Sequence, residues 1–289
     1  MLASELQLKV RLFVLTALSA ITVAVWVMPV EATESPSSLL VHFLDVGQGD
    51  ATLIESPDGT QVLIDGGVDN QVLRSLASKL GFFDRTIDYL VATHPDADHI
   101  GGLIDVLERY DVQHIIMTDN AHESTVVDQF TAAAQAEGAM ITLVRRGDTI
   151  DVGAGAVLQT LWPETSVVDM ESNAASIVMK LVYGNTSFVL TGDAPKRIEE
   201  YLVLTHGEYM QSDVLKVGHH GSRTSTSELF VAEVDPTYAV ISASADNRYG
   251  HPHVEVTDTL FNQGVTTVTT ATQGTITFES DGYEVWRTY

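Results

Sequence analysis

Four side chains able to hold a metal ion, His94, Asp96, Asp98 and His99, fall within six residues. They follow the apolar run Ile87 to Ala92 and precede Gly101-Gly102, which places them on a turn from a buried strand into a helix. Carboxylates and imidazoles crowded on one turn repel and desolvate each other unless a cation lies among them. The competing reading is a polar loop with Asp98 as a helix N-cap. Asp193, in Thr191-Gly192-Asp193, follows a second apolar strand. It is either a carboxylate bridging two metals or the N-cap of a helix beginning near Pro195. In Gly218-His219-His220-Gly221 the flanking glycines permit a tight turn near a site. One of His219 and His220 is expected to ligate a metal, and the other to orient it or touch substrate; the sequence leaves open which. In Asn247 to His253, Arg248 and His251 either bind an anionic group or donate a proton, or the segment is a surface loop capping a helix. Arg223 is a further candidate phosphate contact. His42, His114, His122 and His206 each stand alone and read as ordinary buried or surface residues.

The elements that must position these residues follow from periodicity. Strands are expected at 39–44, 51–55, 61–64, 87–92, 114–117 and 140–144, with helices at 70–80, 98–110 and 126–136. In the last of these helices but one, Ile100, Leu103, Ile104 and Leu107 share one face. The second half repeats the grammar, with strands at 157–161, 177–183, 187–190, 214–217, 239–242, 265–269, 275–279 and 283–287. Helices are expected at 196–204 and 254–262. Strands and covering helices contributed by each half favour two packed sheets with helices outside.

Composition limits the chemistry. The 289 residues include no cysteine, so thiolate ligands, disulfides and a lipoprotein cysteine are excluded, and a metal must bind through His, Asp, Glu, Asn or water. The formal charge is −24, from 39 acidic and 15 basic residues. Such an excess repels nucleic acid at long range and argues against strong generic nucleic-acid binding. It suits solubility at high salt. Bound divalent cations would reverse the potential locally.

Lys9 and Arg11 precede the apolar run Leu12 to Val30, and Val30-Glu31-Ala32 resembles a cleavage site. Residues 1–32 therefore read as a secretory signal or as an uncleaved membrane anchor, 33–38 as a linker and 39–289 as one folded domain. The expected location is secreted or extracytoplasmic, or anchored on the outer face of the cytoplasmic membrane.

His94-x-Asp96-x-Asp98-His99 resembles the HxHxDH motif of the metallo-β-lactamase superfamily, with Asp96 in place of the second His. More narrowly, the chain is similar to the hydrolase domain of ComEC-type competence proteins. The stretches that carry the likeness are Phe43 to Asp50, Leu63 to Gly67, His94 to Gly102, Ser172 to Ser176, Leu190 to Asp193, Leu215 to Ser222 and Asn247 to His253. The resemblance implies an α+β fold, the four-layer αββα sandwich, with two divalent metal ions, Zn or Mn, at one edge. It implies that His94 and Asp96 serve one metal, Asp98 and His99 the other, and that Asp193 bridges, with His219 or His220 completing the second site. Asp65 would orient the metal loop. Asn173 stands where other branches have a His ligand, which leaves the first site short of one strong ligand. Ser176 shares that segment, and Asp45 and Asp50 would either support the site or form turns.

The expected chemistry is metal-dependent hydrolysis by a metal-activated hydroxide held by Asp98 and Asp193. An oxygen ligand in place of imidazole moves preference toward harder ions. A small-molecule or oligomeric phosphodiester is the favoured substrate. Ester, lactone or β-lactam hydrolysis, and a non-catalytic binding module on a hydrolase scaffold, are the alternatives.

Overall fold

The computed structural model describes residues 11–16, 37–81, 83–120 and 122–288. Two compact units divide the chain, Met1–Glu34 and Ser35–Tyr289. In the first, residues 11–16 are helical. The rest of the segment read as signal or anchor, with 33–36 of the linker, lies outside the described residues. Among the described residues no helix is long and apolar enough to cross a membrane.

The second unit holds two sheets. The first contains β1 (Leu39–Phe43), β2 (Thr52–Glu55), β3 (Gln61–Ile64), β4 (Thr86–Val91), β5 (Asp111–Met117) and β6 (Met140–Leu143), closed by β14 (Ile276–Ser280) and β15 (Val285–Thr288). Its order is β15-β14-β1-β2-β3-β4-β5-β6. The second contains β7 (Thr149–Gly153), β8 (Ala156–Trp162), β9 (Val178–Tyr183), β10 (Thr186–Leu190), β11 (Val214–Lys216), β12 (Tyr238–Ile241) and β13 (Thr266–Thr269). Its order is β13-β12-β11-β10-β9-β8-β7.

Period-two alternation sorts side chains between two layers. Val41, Phe43, Ile54, Val62 and Ile64 of the first sheet meet Leu158, Phe188, Leu190, Val214 and Val240 of the second, forming the core between the sheets. Their neighbours Leu53, Leu63 and Leu90 face outward, under α1 (Gln71–Ala77), α2 (Ala97–Leu107) and α3 (Thr125–Glu137). On the far side Val189, Leu215 and Ala239 pack under α4 (Lys196–His206), α5 (Glu228–Val234) and α6 (Val254–Asn262). A one-turn helix, α7 (Thr270–Gln273), follows β13. The layers are helix, sheet, sheet, helix: the expected αββα sandwich.

Three elements escape the periodicity reading: β7, α5 and the single turn α7, which is too short to show a period. β7 buries only Ile150 and Val152 between exposed Thr149 and Asp151, a pattern too short to stand out among its turn residues. α5 has seven residues and depends on a cap, the Ser227 hydroxyl accepting from Phe230 N at 3.3 Å. Strands β3 to β6 run parallel to one another, as do β10 to β13. In such sheets the loops at the carboxyl ends of strands build the binding crevice. The loops after β3, β4, β10, β11 and β12 carry Asp65, His94 to His99, Asp193, His219-His220 and His251 respectively.

Candidate metal centre

The loop after β4 is pulled inward by close backbone packing. A Cβ on Gly49 would stand 2.4 Å from the Asp98 carbonyl oxygen, and one on Gly102 2.1 Å from that of Gly66. Only glycine lets the 45–50 and 65–69 segments approach the start of α2 so closely. Asp50 N donates to Asp98 O at 3.2 Å, Gly66 N to His99 O at 2.7 Å and Gly102 N to Gly67 O at 2.9 Å. The N-cap of α2 is Asp96, whose side chain makes no capping bond, and Asp98 lies in the first turn. Likewise Pro195, not Asp193, occupies the N-cap of α4. Neither carboxylate is explained by helix capping.

Asp193 is instead the hub. Its Oδ2 lies 3.3 Å from His99 Nε2, 3.6 Å from His220 Nε2, 3.7 Å from His219 Nε2 and 4.0 Å from His94 Nε2. Each ring is held from behind through Nδ1. His99 Nδ1 donates to Asp65 Oδ2 at 2.7 Å, and His220 Nδ1 to Ser242 O at 3.0 Å. His94 Nδ1 meets Thr93 Oγ1 at 3.1 Å, and His219 Nδ1 lies 3.0 Å from Thr224 Oγ1 and 3.3 Å from Asn173 Nδ2. The adjacent pair His219 and His220 can face one carboxylate because both adopt left-handed backbone, φ 48° and 54°. On an extended strand the two rings would point to opposite sides.

The remaining carboxylates complete the cluster. Asp96 Oδ2 lies 3.7 Å from His94 Nε2, and its Oδ1 accepts from the Ser172 hydroxyl. Asp98 Oδ2 lies 3.2 Å from His220 Nε2. Ligand atoms within reach of one ion group as His94, His99 and Asp193, and again as Asp98, His99 and His220. Asp65 accepts from Thr93 N at 2.9 Å and from the Thr93 hydroxyl at 2.7 Å, besides His99. The Ser176 hydroxyl accepts from Asp193 N at 3.2 Å. Asp45 is exposed and accepts from Gly47 N, a turn role. His251 is half-buried, its ring centroid 5.7 Å from that of His219 and 6.3 Å from that of His220. Arg248 lies on the exposed surface against Tyr249, to whose hydroxyl it donates at 2.9 Å, and Arg223 faces Glu255 at 3.6 Å. Neither guanidinium is drawn into the cluster.

The ionisation pattern follows from this crowding. Burial opposes charge on His99, but Asp193 and Asp65 overcome it and raise the ring well above the ordinary value. His220 is likewise raised to about 10, burial being outweighed by Asp193 and Asp50. Burial pushes Asp193 up, yet the charges of His99 and His220 hold it well below the usual carboxylate range. Burial, then the neighbouring His99, lowers His94. Burial and the charges of His220 and His219 bring His251 down to about 4. Without a metal, protons on His99 and His220 are the counter-ions of the buried carboxylates.

Two residues stand out beyond those singled out from the sequence motifs. Lys216 Nζ donates to Asp50 Oδ2 at 2.7 Å, with side chains 3% and 6% exposed. The signal was the alternation in β11: Val214 faces the inter-sheet core, Leu215 faces outward, and Lys216 must face inward again. Thr93, bonded to both Asp65 and His94, is the other.

A family model described as the metallo-beta-lactamase superfamily matches residues 44–245. The chain is 32% identical over 257 residues to ComE operon protein 3 of Bacillus subtilis (strain 168), covering 82% of this chain and 32% of that protein. It is 32% identical over 241 residues to Recombination protein 2 of Haemophilus influenzae, covering 82% and 28%. The chain thus spans about a third of the length of these curated relatives. Among solved structures, CmlA, a diiron beta-hydroxylase from Streptomyces venezuelae, matches with a TM-score of 0.53 at 16% identity. That likeness covers 80% of this chain and 52% of the other, and is one of fold alone. Superfamily match, competence-type relatives and αββα layers agree: the chain belongs to the metallo-beta-lactamase superfamily.

Proposed function

We propose that the chain is a hydrolase of phosphodiester bonds working with two divalent metal ions. The observation that carries this reading is the convergence of four imidazoles, each held at Nδ1, with Nε2 turned toward Asp193 Oδ2. Three of those nitrogens, on His94, His99 and His220, are buried with no hydrogen-bond partner, as is Asp193 Oδ1. Buried polar atoms left unpaired are costly, and their convergence fits a cation. The charge fits as well. Asp50, Asp65, Asp96, Asp98 and Asp193 against the one ammonium of Lys216 leave four negative charges, the charge of two divalent ions.

In this reading His94 and Asp96 would hold one ion, Asp98, His99 and His220 the other, and Asp193, which faces all four imidazoles, would serve both. His219 supplies a further imidazole beside Asn173, where other branches have a ligand. The nitrogen and oxygen donors suit Zn or Mn. Bound there, the ions supply Lewis acidity toward a substrate oxygen, positive charge for an anionic substrate, and a water acidified to a pKa near 7. The protein's part is to hold geometry. Asp65 fixes the tautomer and plane of His99, Ser172 holds Asp96, and Ser176 holds the backbone of Asp193. His251 is uncharged at neutral pH, and its buried Nδ1 is unpartnered at the edge of the cluster. That makes it the candidate to exchange a proton with substrate. The carboxylate-rich ligand set and the competence-type relatives support a phosphodiester over an ester or lactone. The basic and apolar N-terminal run supports action outside the cytoplasm.

The test is hydrolysis of bis-(p-nitrophenyl) phosphate, a lactone and a cephalosporin by the purified chain, stripped and then reloaded with Zn or Mn. Metal-dependent turnover of the phosphodiester is expected. Turnover of only the other two would overturn the substrate; no turnover of any, with fewer than one ion bound per chain, would favour a binding module.

A further inference from the structure

We infer that Lys216 is a positioning residue, which acts through Asp50 to hold His220 in the cluster; this rests on reading the cluster as a metal centre. Lysine is an unusual occupant of a sandwich core. Lys216 ends β11 with its side chain between the sheets, on the face that carries Val214. It is 3% exposed. Its ammonium donates to Asp50 Oδ2 at 2.7 Å and to Val217 O at 2.9 Å. A buried cation persists only where its pairing is close and its hydrogen bonds are met.

Asp50 belongs to the other half of the sandwich. It follows β1, and its backbone is tied to the metal loop through Asp98 O and to Gly67 N. The bond between Lys216 and Asp50 therefore ties the two sheets together directly beneath the cluster. The second oxygen, Asp50 Oδ1, has no hydrogen-bond partner and stands 3.3 Å from His220 Nδ1. That nitrogen donates to Ser242 O at 3.0 Å, so the carboxylate and the carbonyl flank the same N–H. With Nδ1 fixed from behind, Nε2 is left 3.2 Å from Asp98 and 3.6 Å from Asp193. A carboxylate behind a ligating imidazole orients the ring and raises its basicity. Here that carboxylate has its own fixed cation.

Solvent cannot take over the role of the ammonium. The void beside Lys216, Asp50, Asp65 and Thr93 measures about 10 Å³, room for one water at most. Without Lys216, Asp50 would be a buried, unpaired charge free to turn away from His220. The effect should fall on the ion held by Asp98, His99 and His220, and spare the one at His94 and Asp96.

The experiment is titration of the metal-stripped full chain with Mn²⁺, following free Mn²⁺ by its paramagnetic resonance signal, beside thermal unfolding. Wild type is expected to bind two ions. Lys216→Met should weaken one site by about 10–100-fold, leave the other within threefold, and lower the melting temperature. The double variant Asp50→Asn/Lys216→Met removes both charges and should regain much of that thermal stability while the weakened site stays weak. Wild-type affinity at both sites in Lys216→Met would overturn the inference. So would recovery of affinity together with stability in the double variant, since the pair would then be only a structural tie. Failure of wild type itself to bind two ions would overturn the two-ion reading of the centre instead.

Discussion

Asp65→Asn is the sharpest perturbation of the centre, because it changes one atom and leaves the backbone preference alone. Asp65 sits just after β3 at φ 59°, a left-handed conformation that Asn adopts as readily as Asp. Its carboxylate is 1% exposed and meets three donors: Thr93 N at 2.9 Å on one oxygen, the Thr93 hydroxyl and His99 Nδ1, each at 2.7 Å, on the other. An amide has one oxygen. Its better orientation keeps the two donors on that oxygen and turns the NH₂ against the Thr93 amide. Two buried donors, the Thr93 N–H and the new NH₂, are then unmet, at about 1–3 kcal/mol each. Two charge-assisted bonds become neutral, at about 1 kcal/mol together after relaxation. The sum is about 5 kcal/mol, or roughly 10–20 °C in melting temperature for a domain of this size.

The change should also reach the metal, since His99 loses the partner that sets its plane and tautomer. Affinity for one ion is expected to fall by about 10–100-fold. The assay pairs thermal unfolding of the metal-free variant with Mn²⁺ titration. A melting point within about 2 °C of wild type and unchanged affinity would refute the argument that Asp65 is the anchor of the loop. A stability loss with unchanged affinity would leave Asp65 a structural residue only.

Asp193→Asn removes the one carboxylate that four imidazoles face, and bound metal measured by elemental analysis should fall to one ion per chain or fewer. Metal-stripped protein should lose stability as pH rises from about 6.5 toward 10: the folded value of His220 is raised to about 10, so its contribution is complete below 6.5 and lost on passing through 10. A melting temperature that climbs over that range would contradict the assignment of His220 as a counter-ion. Raising the salt from 0.1 M to 1 M shortens the screening length from about 10 Å to about 3 Å, and with a formal charge of −24 the melting temperature should rise. A fall under KCl would show that attractive surface pairs, not net repulsion, dominate.

What was legible in the sequence follows from how local each signal is. Strand β4 and helix α2 announce themselves by apolar spacing, and the ligand-type residues between them are contiguous, so His94 to His99 read correctly as one turn. Asp193 was ambiguous because a helix does begin three residues later; only its burial among four imidazoles separates the hub from a cap. The pairing of His219 with His220 was undecidable, because the usual alternation assigns adjacent residues to opposite faces. Left-handed backbone at both positions breaks that rule. The reach of Arg248 and Arg223 is set by surface partners, Tyr249 and Glu255, that no motif specifies.

Lys216 shows where periodicity carries information that motif reading discards. Residues 214–217 were read simply as an apolar strand with a lysine in it, and lysine is ordinarily an exposed residue. Alternation alone, however, sends Lys216 to the face of Val214, between two sheets, where an ammonium cannot stay without a carboxylate. That requirement points to a buried acid on the opposite sheet, and Asp50, also followed by an inward-facing position at Thr52, is the residue that meets it. The consequence is mechanical as well as electrostatic. Loops from two different sheets must keep sub-ångström register for Asp98, from the first, and His220, from the second, to serve one ion. A charge pair that joins Asp50, whose backbone N–H is bonded to Asp98 O, to Lys216, which ends the strand leading to His220, is positioned to enforce it.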